Sequence, residues 1–172
     1  MYFYRFAALF VVCVLLTGCK AMMYHPFGYL TQTSNVEPQA AFDQAALQNG
    51  IRPGHAIVRG QAFSKTVGGD VKYGAGNDVL LLPSTDYANQ CIRILATATS
   101  DCGTKLKPYV RVVQADGEGR FEFNGVAPGS YIVTTIITWG VPTGYGIRQT
   151  GGPVTAIANV VNDTDEVTVS VH

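Results

Sequence analysis

Asp116-Gly117-Glu118-Gly119-Arg120-Phe121-Glu122-Phe123-Asn124-Gly125-Val126-Ala127-Pro128-Gly129-Ser130-Tyr131-Ile132-Val133 is the stretch whose reading decides the fold. Asp116 to Gly119 supply the short polar side chain and the glycines of a tight turn. After it, Phe121 and Phe123 fall on one face of a strand and Arg120 and Glu122 on the other. Upstream, over residues 109–113, Val110 and Val112 alternate with Tyr109 and Arg111, so the two runs read as the arms of a hairpin. Gly125 and Pro128-Gly129 turn the chain again, into a β-branched run over residues 130–139 that should cross the middle of a sheet.

The same period of two extends outward. Residues 56–63 read as a first strand; after Gly68-Gly69, the run Val79-Leu80-Leu81-Leu82 reads as a central strand ended by Pro83; residues 154–161 and 167–171 flank a turn at Asn162-Asp163. About seven strands separated by short turns, with no helical crossovers, predict an all-β sandwich or small barrel. Residues 38–48 alone read as a helix, with Pro38 in its first turn, Phe42, Ala45, Ala46 and Leu47 as its apolar face, and Asn49-Gly50 as its stop.

Composition narrows the functional classes. The 172 residues carry 12 Lys plus Arg and 12 Asp plus Glu, and no basic run forms the stripe that a phosphate backbone requires. Nucleic acid is therefore not an expected partner. The length left after the N-terminal segment suits one domain.

At the N-terminus, Arg5 precedes an apolar run over residues 6–16, too short to span a hydrocarbon core of ~30 Å. It ends at Leu16-Thr17-Gly18-Cys19. This boundary resembles the lipobox of bacterial lipoproteins, which implies that Cys19 is diacylated and begins the mature chain. The expected organisation is a signal peptide over residues 1–18, a lipidated tether over 19–37, a short capping helix and link over 38–55, and the sandwich over 56–172. Lys20 follows the cysteine where some lipoproteins carry an inner-membrane retention aspartate, so the resemblance favours the outer membrane. With Cys13 in the signal segment and Cys19 acylated, Cys91 and Cys102 remain, and in an exported chain they are expected to form a disulfide. His25, His55 and His172 stand far from them without zinc-ligand spacing.

The stretch from Asp116 to Val133 resembles the D-x-x-G-x-F-x-F-x-x-[VL]-x-P-G-x-Y-x-V signature of carboxypeptidase regulatory-like domains, transthyretin-like sandwiches related to Cna-B modules. Gly60-Gln61-Ala62 and Gly76-Asn77-Asp78-Val79-Leu80-Leu81-Leu82-Pro83 are similar to the first two strands of those domains. Residues 84–108 form a longer insertion than that family's usual link, and the pattern that accompanies isopeptide cross-links is not recognisable. The resemblance implies a transthyretin-like fold and carries no peptidase activity, for HExxH and its zinc ligands are missing.

Other candidate chemistry reads as structure. Asp116 and Glu118 belong to the hairpin turn; Asp163, Asp165 and Glu166 lack the ligand spacing and mid-loop glycine of a calcium loop; Gly68-Gly69 and Gly144-Tyr145-Gly146 lack the lysine of a phosphate loop. Ser64 and Ser84 sit in no nucleophile elbow. No enzyme activity, metal or cofactor is expected. The segment from Trp139 to Arg148 reads as a Gly/Pro-rich loop carrying Trp139, Tyr145 and Arg148, the residue types that dominate binding hot spots. The expected function is a non-enzymatic, lipid-anchored structural or protein-interaction module of the bacterial envelope. The alternative is a carbohydrate-binding module that stacks sugars on Trp139 and Tyr145.

Overall fold

A computed structural model describes residues 35–172 of the chain. Cys19, the signal segment and most of the expected tether lie outside those residues. Eight strands follow in chain order: β1 (Pro53–Lys65), β2 (Val71–Tyr73), β3 (Asp78–Pro83), β4 (Arg111–Gln114), β5 (Arg120–Val126), β6 (Gly129–Thr143), β7 (Gly146–Val160) and β8 (Glu166–Val171). They form an all-β sandwich. One sheet runs β2-β1-β5 with β8 also on β1, and the other runs β4-β3-β6-β7. All pairings are antiparallel except β1 with β8.

Alternation builds the main core. Phe121 and Phe123 face inward with their rings 5.9 Å apart, among Val58, Val79, Leu81, Tyr131, Val133, Ile137 and Val171. The Tyr131 hydroxyl donates to the carbonyls of Ala127 at 2.7 Å and Gly50 at 2.9 Å, tying β6 to the segment before β1. Burial of the ring holds its hydroxyl above the ordinary tyrosine range.

The helical content departs from the sequence reading in two places. The first helix, α1, is Gln44–Gly50 and not residues 38–48, because the Asp43 carboxylate caps it by accepting the Ala46 N–H at 2.9 Å. The N–H groups of Gln39 and Ala40, which a longer helix would have to orient along its axis, donate instead to Gln90 Oε1 at 2.8 and 3.1 Å. It is also not the sole helix. The insertion folds as α2 (Asp86–Leu95), capped by the Thr85 hydroxyl on the Ala88 N–H, then α3 (Cys102–Leu106) and a 3₁₀ turn at Lys107–Tyr109. Tyr109 thus leaves the strand in which the alternation put it, and β4 begins at Arg111.

These helices enclose a second core. Leu82 and Ile132, opposite one another on β3 and β6, point away from the sandwich interior and are covered by Leu47, Tyr87, Ala88, Leu106 and Tyr109. Cys91 and Cys102 are fully buried there and bonded to each other, with Cα atoms 5.8 Å apart. The Phe42 ring meets the edge of Tyr87 at 5.1 Å. Glu37 accepts from Lys105 at 3.0 Å and Val36 donates to the Thr99 carbonyl at 3.1 Å, so the chain entering the domain is fastened to this cap.

Candidate functional site

Residues 139–148 are a hairpin tip and not the loop that their glycines and proline suggest. β6 and β7 stay in register from Gly129 opposite Val160 to Thr143 opposite Gly146, leaving Gly144 and Tyr145 as the turn. Two glycines make this possible. Gly146 has φ 133°, and Gly151 has φ 102° with no room for a side chain, since a Cβ there would stand 2.1 Å from the Ile137 carbonyl oxygen and 2.8 Å from the Trp139 ring. Trp139 therefore lies over Gly151 and packs half-buried on the main core.

The three hot-spot candidates are not gathered. Trp139 pairs with Thr150 and Arg148 with Val141, so both side chains share the inward face of the hairpin. Tyr145 stands wholly exposed in the turn, roughly 13 Å along the strand from Trp139 at ~3.3 Å per residue. They do not form one stacking surface.

What the fold does gather lies on the other sheet. Along β1 the outward residues are Arg59, Gln61 and Phe63; β5 sets Glu122 beside Arg59 and Arg120 beside Gln61, and β8 sets Thr168 and Ser170 on the opposite flank of the same two residues. All of these but Phe63, together with Gln114 and Asp116, line an open groove of about 780 Å³. Arg59 bridges two carboxylates, Glu166 at 3.1 Å and Glu122 at 3.7 Å. Its Nε is buried without a hydrogen-bond acceptor. Arg120 bonds Glu118 and lies 3.6 Å from Asp116. Gln61 donates to the Glu118 carbonyl at 2.8 Å. Beyond Gln61, the Phe63 ring is stacked on His172 with centroids 5.4 Å apart.

The carboxylates serve turns and ion pairs. Asp116 accepts the backbone N–H of Arg120 at 2.8 Å and of Glu118 at 2.9 Å; the first of these bonds does most to hold its carboxyl below the usual range. Asp165 accepts from Asn162 and Val161 and is lowered chiefly by the Asn162 N–H. Asp163 binds the His55 ring and its backbone N–H, and that side-chain bond both lowers Asp163 and raises His55. Among the described residues no three His, Cys, Asp or Glu side chains converge as metal ligands. Ser84 accepts from Asn89 and stands in no catalytic arrangement.

Neither a protein-family model nor a curated protein sequence matches the chain. Among solved structures, the chain is similar to the crystal structure of a proposed carbohydrate-binding protein from Pseudomonas aeruginosa. The TM-score is 0.66 at 21% sequence identity, over 77% of this chain and 97% of that one. This establishes a shared fold.

Groove residues were missed in the sequence although their alternation is visible there. Arg59-Gly60-Gln61, Arg120-Phe121-Glu122 and Thr168-Val169-Ser170 each place polar residues on one face and small or apolar ones on the other. The parallel pairing of the last strand with the first, which sets these columns side by side, leaves no local signal.

Proposed function

We propose that the chain is a non-enzymatic, lipid-anchored binding module of the bacterial envelope whose ligand is a carbohydrate lying in the groove over β5, β1 and β8. The observation that carries the reading is that groove: about 780 Å³, within the ~300–1,000 Å³ of small-molecule sites, and lined by amide, hydroxyl, guanidinium and carboxylate groups. Sugars present many hydroxyls that both donate and accept, and such a mixed lining answers them. The structural similarity to a proposed carbohydrate-binding protein supports this choice of ligand. The engagement of Asp116, Glu118, Glu122 and Glu166 in turns and ion pairs supports a binding role over acid–base chemistry. The lipid anchor rests on Leu16-Thr17-Gly18-Cys19, and the regulatory-like signature supports an accessory role.

The test is a glycan array followed by calorimetry on the best binder. Arg59→Gln and Thr168→Val should each weaken binding at least tenfold with melting unchanged; a protein that binds no glycan, or one whose affinity ignores both substitutions, overturns the assignment. Cys19→Ala should release the protein from membranes, and unchanged retention would refute acylation.

A further inference from the structure

The two most exposed large apolar side chains in the described structure are Val67 and Tyr145, each fully open to solvent at the crown of a hairpin. Both crowns point to the same end of the sandwich. Gly74, just past β2, lies between the strands that lead to them: a Cβ there would stand 3.3 Å from Ala62 of β1 and 3.4 Å from Ile137 of β6. From that level β1 runs on toward Val67 and β6 toward Tyr145. β3 supports β6 only over residues 131–134 and the last core contact of the hairpin is Trp139, so past Trp139 the β6–β7 hairpin is a free two-stranded finger of roughly 13 Å at ~3.3 Å per residue. Ile147 is 75% exposed on it, and Pro142 opposite Ile147 is exposed as well.

Charge follows the same geometry. Between Glu122 and Asp163 the only charged side chain is Arg148, on the finger itself. Lys65 and Lys72 flank the shorter crown, and Asp70 is its one carboxylate. Asp116 and Glu118 of the β4–β5 turn are set back, at the level where Gly119 accepts from Ala62 at 2.8 Å. The leading surface thus combines aromatic and aliphatic tips with three cations and one carboxylate.

We propose that this end of the sandwich, led by Tyr145 and Val67, docks into the interfacial layer of a phospholipid bilayer that carries anionic headgroups. A narrow finger offers too little surface for a stable protein interface, which takes ~800 Å² per partner. Tyr, Ile and Val beside Arg and Lys are the residues that settle at a lipid boundary, the rings and aliphatic chains among the acyl carbons and the cations at the phosphates. The docking is independent of the glycan groove and of the lipid on Cys19.

The experiment uses the full chain in vesicles of phosphatidylcholine and phosphatidylglycerol in equal parts. With Trp139→Phe and Tyr145→Trp combined, the indole at the turn should emit at shorter wavelength and be quenched by brominated acyl chains. Trp139→Phe with Thr164→Trp, which puts the indole in the exposed turn at the opposite end, should emit as in water. Hydrogen exchange of the unsubstituted chain should show the amides of Gly144 to Gly146 slowed by the same vesicles, a readout that needs no variant to fold. Equal emission and quenching at the two positions, with exchange unchanged, overturns the proposal and leaves a protein contact as the use of the finger. In phosphatidylcholine alone affinity, read from the quenching, should fall by roughly thirtyfold, the effect of a net two cations at ~1 kcal/mol each at an anionic surface; equal affinity in both lipids would overturn the anionic assignment.

Discussion

Replacing Cys91 and Cys102 together by alanine should loosen the helical cap while the sandwich stays folded. The bridge joins residues 11 apart in sequence, and the chain-entropy relation for a loop of that length gives about 3 kcal/mol of lost stabilisation. Both side chains are fully buried, so deleting two sulfur atoms removes packing worth roughly 1–2 kcal/mol more. Alanine is the right replacement, since serine would add a buried hydroxyl with no partner. The total, about 4–5 kcal/mol, falls on a core of its own, because Leu47, Leu82, Tyr87, Leu106 and Ile132 form a cluster separate from Phe121, Phe123 and Val133. Hydrogen exchange and urea unfolding of the double variant are the assays. Protection should drop in α2 and α3 and persist in β1, β5 and β6. Loss of protection in both sheets at once would refute the independence of the two cores, and a destabilisation under ~1 kcal/mol would refute the entropic reasoning.

Phe123→Ala empties a site that is 1% exposed and should cost ~3–5 kcal/mol in chemical denaturation, whereas Tyr145→Ala, at the open turn, should cost less than ~0.5 kcal/mol. Tyr131→Phe removes the hydroxyl that serves the carbonyls of Ala127 and Gly50; a loss of ~1–3 kcal/mol is expected, and a variant as stable as the parent would show that water replaces the bond. The exposed His55–Asp163 pair makes stability depend on pH in one direction at each end. The raised His55 contributes fully below its ordinary 6.5 and loses its contribution as pH rises through its folded value. The lowered Asp163 contributes above its ordinary 3.8 and loses its contribution as pH falls through its folded value. Melting temperature should therefore decline above about 6.5 in the parent, and His55→Ala should flatten that decline; parallel curves would exclude the pair as its source.

The sandwich was readable because its strands alternate strictly: Phe121 and Phe123 against Arg120 and Glu122, and the apolar Val79 to Leu82 of a covered strand. The helices over residues 86–106 carried signals as well, the Thr85 cap and the spacing of Tyr87, Ala88, Cys91 and Ile92. They read only as an insertion because what their apolar face covers, Leu82 and Ile132 of two distant strands, leaves no local signal. The tip was misread for a physical reason. Gly140, Gly144, Gly146, Gly151 and Gly152 resemble loop punctuation, but in a long two-stranded ribbon glycine admits the close crossing of Trp139 over Gly151 and the sharp turn before Ile147. The groove itself had no local signal, because its columns meet through pairings about sixty positions apart between β1 and β5 and more than a hundred apart between β1 and β8.

That last pairing also governs when the protein can become itself. β8 lies parallel to β1 over Ile57 to Ala62, so the flank of the first strand stays open until the final residues of the chain arrive, and neither the groove nor the main core is complete before then. Closure over such a separation is slow, on the order of milliseconds to seconds for β topologies of high contact order. A newly made chain would thus remain pliable up to its last strand. A truncation before Glu166 would leave a six-residue hydrogen-bonding edge on which a second, equally incomplete chain could pair.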